Sequence, residues 1–361
     1  MLLPLLVGLA LGAAGAQQGP SVRPQPLGPQ EPSEGIPSPE VPAPGELSQP
    51  LANPVLDRDE LLAFLEDRAA REAPAEVLAE RLDQVLRVSL ERWERVQDYQ
   101  GLLDKRERIK GKLHPAERLQ VKYKLPSSQY LRWIRGEKTG REILYADDLN
   151  QGRMMRVLPA FFPMIPDQIQ RLAPGCSAAL EGTLHPHTSY RVGDVLERFL
   201  EHYLRARLAE PLAEADGALA EAGGTGADWT CPEGLGELDA IRYRGKRRLH
   251  KGTRCYVFDL WFPYRDAGGG PYPFRQVVVG FDPESLLLVV LESYRAQPQV
   301  GDRQSIPVRR AVSSEESFYA TRVRELDLQD SYHFQQLEVD QGLPEEHFSP
   351  TNPEYGFRHL W

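Results

Sequence analysis

Four catalytic signatures are missing from this 361-residue chain. It has no Gly-x-Ser-x-Gly nucleophile turn, no Gly-rich phosphate loop closed by Lys-Ser or Lys-Thr, no His-Glu-x-x-His and no Cys-x-x-Cys. Cysteine is scarce, with only Cys176, Cys231 and Cys255. An odd count in an oxidising compartment suggests one pair and one leftover thiol. Cys231 with Cys255 is the preferred pair, because both flank or enter the same group of expected strands; three buried thiols are the other reading. Positive charge is in deficit: 43 Lys and Arg stand against 52 Asp and Glu, a net charge of −9. That balance argues against nucleic acid as a partner. No apolar run approaches the length of about 20 residues that a membrane-spanning helix needs.

Metal-binding patterns are thin as well. His185-Pro186-His187 offers two imidazoles, but the intervening Pro and the lack of a nearby Cys or carboxylate favour a polar turn. No metal, no cofactor and no catalytic residue is expected.

What is present begins at the first residue. Met1 to Ala16 is uncharged and mostly apolar, and ends in Ala14-Gly15-Ala16. This pattern reads as a secretory signal with a small-x-small cleavage site, although no Lys or Arg precedes the apolar run. Residues 17–54 are dense in proline and nearly free of large apolar side chains, so they cannot bury enough surface to offset the entropy of ordering and are expected to form a disordered stalk. Residues 55–361 are expected to fold as a single domain, with an export destination of periplasm or extracellular side.

Within that domain Asp57 and Glu60 suit a capping box, with Leu61, Leu62 and Leu65 behind them. Leu78, Leu82, Val85, Leu86, Leu90, Trp93 and Val96 recur at helical spacing, which predicts an amphipathic helix over 75–97. Leu119, Val121, Tyr123 and Leu125 then alternate with polar residues, the pattern of a half-buried strand. Short strands follow at about 129–135, 141–147 and 153–158, separated by turn residues. A turn-rich stretch over 159–187 leads to a second helix carrying Val192, Val195, Leu196, Phe199, Leu200, Tyr203 and Leu204, and then to a loop at about 206–236. Strand patterning resumes at 240–249, 254–263, 274–281, 285–295, 317–326 and 331–339, with a type I turn at Asp282-Pro283-Glu284-Ser285. Tyr256 to Phe262 and Leu286 to Leu291 are apolar on both faces, so both sides of the sheet should be covered there. The expected class is α+β: a long curved antiparallel sheet with helices packed over one face.

Three stretches carry a resemblance. Asp98-Tyr99 followed by Lys105-Arg106-Glu107-Arg108-Ile109-Lys110-Gly111-Lys112-Leu113 resembles the opening of a bacterial family catalogued as domain of unknown function 1571 (DUF1571). Gly140-Arg141-Glu142-Ile143-Leu144-Tyr145 resembles its next strand. Phe348 to Phe357, with Asn352, Pro353, Tyr355 and Phe357, is similar to its closing signature. The resemblance runs over about 95–357, with the loop at 206–236 outside it. It implies an exported bacterial protein and, more distantly, the lipoprotein-carrier and envelope-stress-sensor fold, in which the sheet is half-open and barrel-like. Glu107, Gly111, Asn352, Pro353, Tyr355 and Phe357 are accordingly expected to be structural, with Glu107 paired to an Arg or Lys of a neighbouring strand.

Two basic clusters, Lys105 to Lys124 and Arg242 to Arg254, read as solvated strand faces or as a surface for anionic lipid. Val121, Tyr123, Leu131, Trp133, Phe258 and Leu260 read as core or as the lining of an apolar pocket. The functional expectation is an exported non-enzymatic envelope protein that binds a lipid or lipidated partner in that pocket. A protein-interaction or sensor module without lipid is the alternative, and an uncharacterised enzyme the third.

Overall fold

The computed structural model describes residues 58–146, 151–159, 167–208, 238–249, 253–263, 273–296 and 326–357. The signal and stalk, Asp57, most of the 206–236 loop, Cys231, Lys251 and the expected strand residues 317–325 lie outside these ranges.

Three helices are described: α1 (Arg58–Glu66), α2 (Ala75–Arg95) and α3 (Val192–Leu208). The α2 stripe is the one its sequence dictates, since Leu78, Leu82, Val85, Leu86 and Leu90 are all buried. Pro74 stands at its N-cap and Val96 at its C-cap. Trp93 differs from expectation: it is only partly buried, packed at the edge of the core against Tyr99 and Tyr123. The first turn of α3 is closed by Asp194, whose carboxylate accepts the Arg191 main-chain N–H at 3.1 Å.

The strands are β1 (Asp98–Ile109), β2 (Lys112–Leu113), β3 (Glu117–Lys124), β4 (Ser128–Arg135), β5 (Glu142–Tyr145), β6 (Met154–Leu158), β7 (Gln168–Leu172), β8 (Ala240–Leu249), β9 (Thr253–Trp261), β10 (Gln276–Phe281), β11 (Leu288–Ala296) and β12 (Leu326–Val339). They form one 12-stranded sheet in the order β7-β6-β5-β4-β3-β1-β12-β11-β10-β9-β8, with β2 paired to β1. Every pairing is antiparallel. The sheet is thus two meanders, β3 to β7 and β8 to β12, joined at its centre by β1. β7 falls inside the stretch expected to be only turns, and the segment expected to start a new strand at 331 is the continuation of β12.

The turn from β1 to β2 explains one motif residue. Lys110 and Gly111 both have positive φ, 49° and 81°, as a two-residue hairpin turn of the twist-matched type requires. Gly111 supplies the second of these angles without a Cβ clash.

Two apolar clusters sandwich the β3–β6 region. Leu131 and Trp133 of β4 join the large cluster that holds the buried residues of α1, α2 and α3. Their neighbour Tyr130 points the other way, into a second cluster with Leu144, Met155, Val157, Leu343, Phe348, Tyr355 and Phe357. The segment after β12 therefore covers the outer face of β4 to β6. In the other meander Cys255 to Phe262 and Leu286 to Leu291 are buried without alternation.

Candidate functional site

The alternation of β1 places Tyr99, Leu103, Lys105 and Glu107 on one buried face. The first two continue the core; the last two bring charge into it. Lys105 Nζ donates to Glu107 Oε2 at 2.7 Å and to Tyr190 OH at 2.7 Å. Glu107 Oε1 accepts from Tyr332 OH at 2.8 Å and from Tyr190 OH at 3.0 Å, and Oε2 accepts from the Leu184 main-chain N–H at 3.2 Å. The Thr183 hydroxyl also contacts Tyr190 OH. Glu107 is thus paired within its own strand, not across to a neighbour.

A second carboxylate, Glu117 at the start of β3, completes the centre. Its Oε2 accepts from Trp133 Nε1 at 3.0 Å and lies 3.5 Å from Lys105 Nζ, while Oε1 lies 3.0 Å from Lys138 Nζ. Burial works to raise the Glu107 carboxyl; the Lys105 charge, with hydrogen bonds from Lys105, Tyr332 and Leu184, overrides it and holds it at about 2. Burial works to lower Lys105, but Tyr190, Glu107 and Glu117 raise it on balance. A carboxylate so saturated with donors is a poor proton acceptor, and this environment speaks against Glu107 as a general base.

Two groups at the rim of this centre are not satisfied. His187 is fully buried, with its ring against Trp133 at 5.5 Å and Tyr190 at 5.9 Å, and neither ring nitrogen has a hydrogen-bond partner. Burial, then the charges of Lys105, Lys138 and Arg141, push its pKa well below the ordinary histidine value, so the ring is neutral. The Arg141 guanidinium lies 6.0 Å above the Trp133 ring, and its Nε and Nη1 are buried with no acceptor. Each buried donor left unpaired costs about 1–3 kcal/mol.

The apolar residues singled out by sequence lie close by or far away according to meander. Val121 and Leu131 are cross-strand partners, as are Leu119 and Trp133. Tyr123 packs against Trp93 and Tyr99, at 5.6 and 5.4 Å between ring centroids. Phe258 and Leu260 belong to β9, across β1, β12, β11 and β10, where Phe258 meets Tyr243 at 4.7 Å. All six are buried in the one cluster with the helices. Of these six, Trp133 also reaches the charged centre, through its bond to Glu117.

α3 closes over this seam with few directional contacts. Asp83 of α2 accepts from Tyr203 OH at 2.6 Å and pairs with Arg207 at 3.1 Å. The Val192 N–H donates to Tyr99 OH at 3.3 Å. The rest of its buried face, Val195, Leu196, Phe199 and Leu200, is apolar contact.

The closing motif is firmly seated. Tyr355 stacks on Tyr130 with centroids 3.8 Å apart and planes 9° from parallel. Lys122 Nζ lies 3.2 Å from Tyr355 OH, and the Gly356 N–H donates to Glu142 Oε2 at 2.8 Å. Asn352 bridges the Glu346 carbonyl and the Glu354 N–H, each at 2.9 Å, and Pro353 is exposed beside it. Cys255 is buried, its thiol pushed up to about 12 by burial and then by Asp282 and Glu292. The first basic cluster is no surface patch throughout, since Lys105 and Lys122 are buried. An open groove of about 860 Å³ lies elsewhere, between α1, the β8–β9 hairpin, the Asp282 turn and the Gln335–Leu337 stretch of β12. No group of three or more potential metal ligands occurs among the described residues.

Both carboxylates, Trp133, Arg141, His187 and Tyr190 fall within one stretch of the chain. Residues 96–221 match the family model "Protein of unknown function (DUF1571)". No curated protein matches the sequence. Among solved structures the chain is similar to a DUF1329 family protein from Desulfovibrio piger, at 13% identity and a TM-score of 0.25, covering 76% of this chain and 95% of that one. A LolA superfamily protein from Nitrosomonas europaea is similar at 12% identity and a TM-score of 0.24, over 73% and 96% of the two chains. A putative outer membrane lipoprotein-sorting protein domain from Vibrio parahaemolyticus is similar at 11% identity and a TM-score of 0.24, over 73% and 95%. No helix among the described residues is long and apolar enough to cross a membrane.

The pairing of Lys105 with Glu107 had a sequence signal, because i and i+2 share a strand face. Glu117, Lys138, Arg141, Tyr190 and Tyr332 had none. They come from separate elements and meet only in the folded sheet.

Proposed function

We propose that this chain is an exported, non-enzymatic envelope protein that binds an apolar chain, as a lipid or the acyl part of a lipidated partner, between α3 and the sheet. The proposal includes removal of residues 1–16, a disordered stalk over 17–54 and a single folded domain from 55 on.

The observation that carries the reading is the makeup of the α3 seam. Its buried face is almost wholly apolar, and apolar contact is non-directional. An acyl chain that displaced Leu196, Phe199 and Leu200 from the sheet would exchange one apolar surface for another; the contacts given up by α3 would include its bonds to Asp83, Ala79 and Tyr99, the Arg198 guanidinium over Tyr332 and the His202 ring against Phe274. Burying each CH₂ contributes about 0.8 kcal/mol, so a long chain competes effectively with the helix. Val121, Tyr123, Leu131 and Trp133 would then form the floor, with Phe258 and Leu260 at the far meander.

The test is uptake of a fluorescent fatty acid by delipidated protein. Asp83→Ala removes the polar hold on α3 and should speed uptake while keeping the fold. Absence of uptake by both proteins would refute the reading. A protein-interaction module without lipid is the second reading, favoured by the groove of about 860 Å³, whose walls carry Lys246, Arg248 and Arg254 opposite Asp282 and Glu284. Co-purification of an envelope protein from lipid-free material would support it.

A further inference from the structure

The buried charged centre has more donors than its acceptors can use. Glu107 already takes Lys105, Tyr190, Tyr332 and the Leu184 N–H, and Glu117 is shared by Lys138, Trp133 and Lys105. Arg141 is left with Nε and Nη1 buried and unpaired, and His187 is buried with both nitrogens unpaired. Both lie against the same ring, Trp133. The field at His187 is positive: three cations, Lys105, Lys138 and Arg141, act on it against one carboxylate, Glu107. Two carboxylates act on Arg141 by charge, Glu117 first and then the exposed Glu181.

We propose that Arg141 and His187, both packed against Trp133, form the site of an anionic head group, a carboxylate or a phosphate. One oxygen of such a group supplies a missing acceptor to Arg141, as a charge-assisted hydrogen bond from the buried Nε or Nη1. The neutral imidazole of His187 adds one N–H donor. The site stands where the apolar floor begins, because Trp133 and Leu131 are alternate residues of one strand and both belong to the helix-covered core. His187 also precedes α3 directly, so a head held there leads its chain under that helix. The inference rests on the proposed apolar-chain reading and adds to it the chemical class of ligand: a single-chain lipid with an anionic head.

The experiment measures binding of oleate, methyl oleate and inorganic phosphate to the full chain, and to Arg141→Met and Arg141→Lys. Oleate should bind at least about tenfold more tightly than methyl oleate, the value of one charge-assisted hydrogen bond. Arg141→Met should abolish that preference, and Arg141→Lys should restore part of it. If neither lipid binds but phosphate raises the melting temperature of the unaltered protein and not of Arg141→Met, the anion site stands and the apolar-chain reading falls. Equal affinity for oleate and methyl oleate overturns the head-group site, and so does a phosphate effect that persists in Arg141→Met or no response to any probe. Should Arg141→Met fold poorly, oleate against methyl oleate on the unaltered protein reads the same preference.

Discussion

Trp93 of α2 occupies the space that a side chain at Gly193 of α3 would need. A Cβ built on Gly193 would stand 2.0 Å from Trp93 Nε1 and 2.1 Å from Cε2. The indole lies directly on the helix backbone, and only glycine permits that approach. Gly193→Ala should therefore destabilise the fold by about 1–3 kcal/mol, the usual cost of overpacking. A urea-unfolding midpoint equal to that of the unaltered protein would show that α3 is not seated on Trp93. Trp93→Ala should cost about 2–4 kcal/mol, at the low end for a tryptophan because the ring is partly exposed.

Glu107→Gln should be among the most damaging single changes. It removes the nearer counter-charge of the buried Lys105 ammonium and leaves Glu117 at 3.5 Å, and breaking a buried pair on one side costs about 3–5 kcal/mol. The paired change Lys105→Met with Glu107→Gln should recover a large part of that loss. If Glu107→Gln unfolds at the same urea concentration as the unaltered protein, the centre does not hold the sheet together.

The acid side of the stability profile follows from two carboxyls with opposite shifts. Glu107 is held at about 2, below its ordinary value of 4.5, so its stabilisation is present above pH 4.5 and lost as pH falls toward 2. Asp259 is pushed up to about 6 from 3.8 by burial, against the pull of Arg244, so the fold gains stability as pH falls from 6 toward 3.8. Each shift corresponds to an effect on the order of 3 kcal/mol. Stability should peak between pH 4 and 6, and Asp259→Asn should flatten the limb above the peak. A midpoint that climbs steadily to pH 8 would contradict the Asp259 assignment, and one that does not fall between pH 4.5 and 2 would contradict that of Glu107.

The closing segment should behave as part of the core. Deleting residues 352–361 uncovers Tyr130, Leu144, Met155 and Val157 and should lower the melting temperature by several degrees, in line with the loss of at least one buried aromatic at about 3–5 kcal/mol. Tyr355→Ala should reproduce most of that loss. An unchanged melting curve for the deletion would mean that the aromatic stack on Tyr130 does not form in solution.

Legibility in the sequence tracked how local each feature is. α2, α3 and the hairpins of both meanders announced themselves through period and turn residues, as at Val121-Lys122-Tyr123-Lys124. β1 was legible only through the family-like motif and its basic cluster, because its inward positions include Lys105 and Glu107 and the apolar alternation breaks there. Its pairing with β12 brings Lys105 opposite Tyr332, a contact across most of the chain that no local pattern encodes. β7, Gln-Ile-Gln-Arg-Leu, has too little apolar contrast to stand out among turn residues. In the sequence His187 reads only as part of a polar turn and Arg141 only as part of a family-like strand, since what marks them is the lack of a partner in the folded protein. The closing motif at Asn352 to Phe357 was legible because large aromatics beside Gly and Pro are costly to leave in solvent.

The central claim, an apolar chain held beneath α3, is tested most directly by native mass spectrometry of the full chain recovered after export, without detergent. The account predicts a population heavier than the polypeptide by one non-covalent lipid-sized ligand, returned to the bare mass by solvent extraction. Only the bare polypeptide mass, before and after extraction, would contradict it.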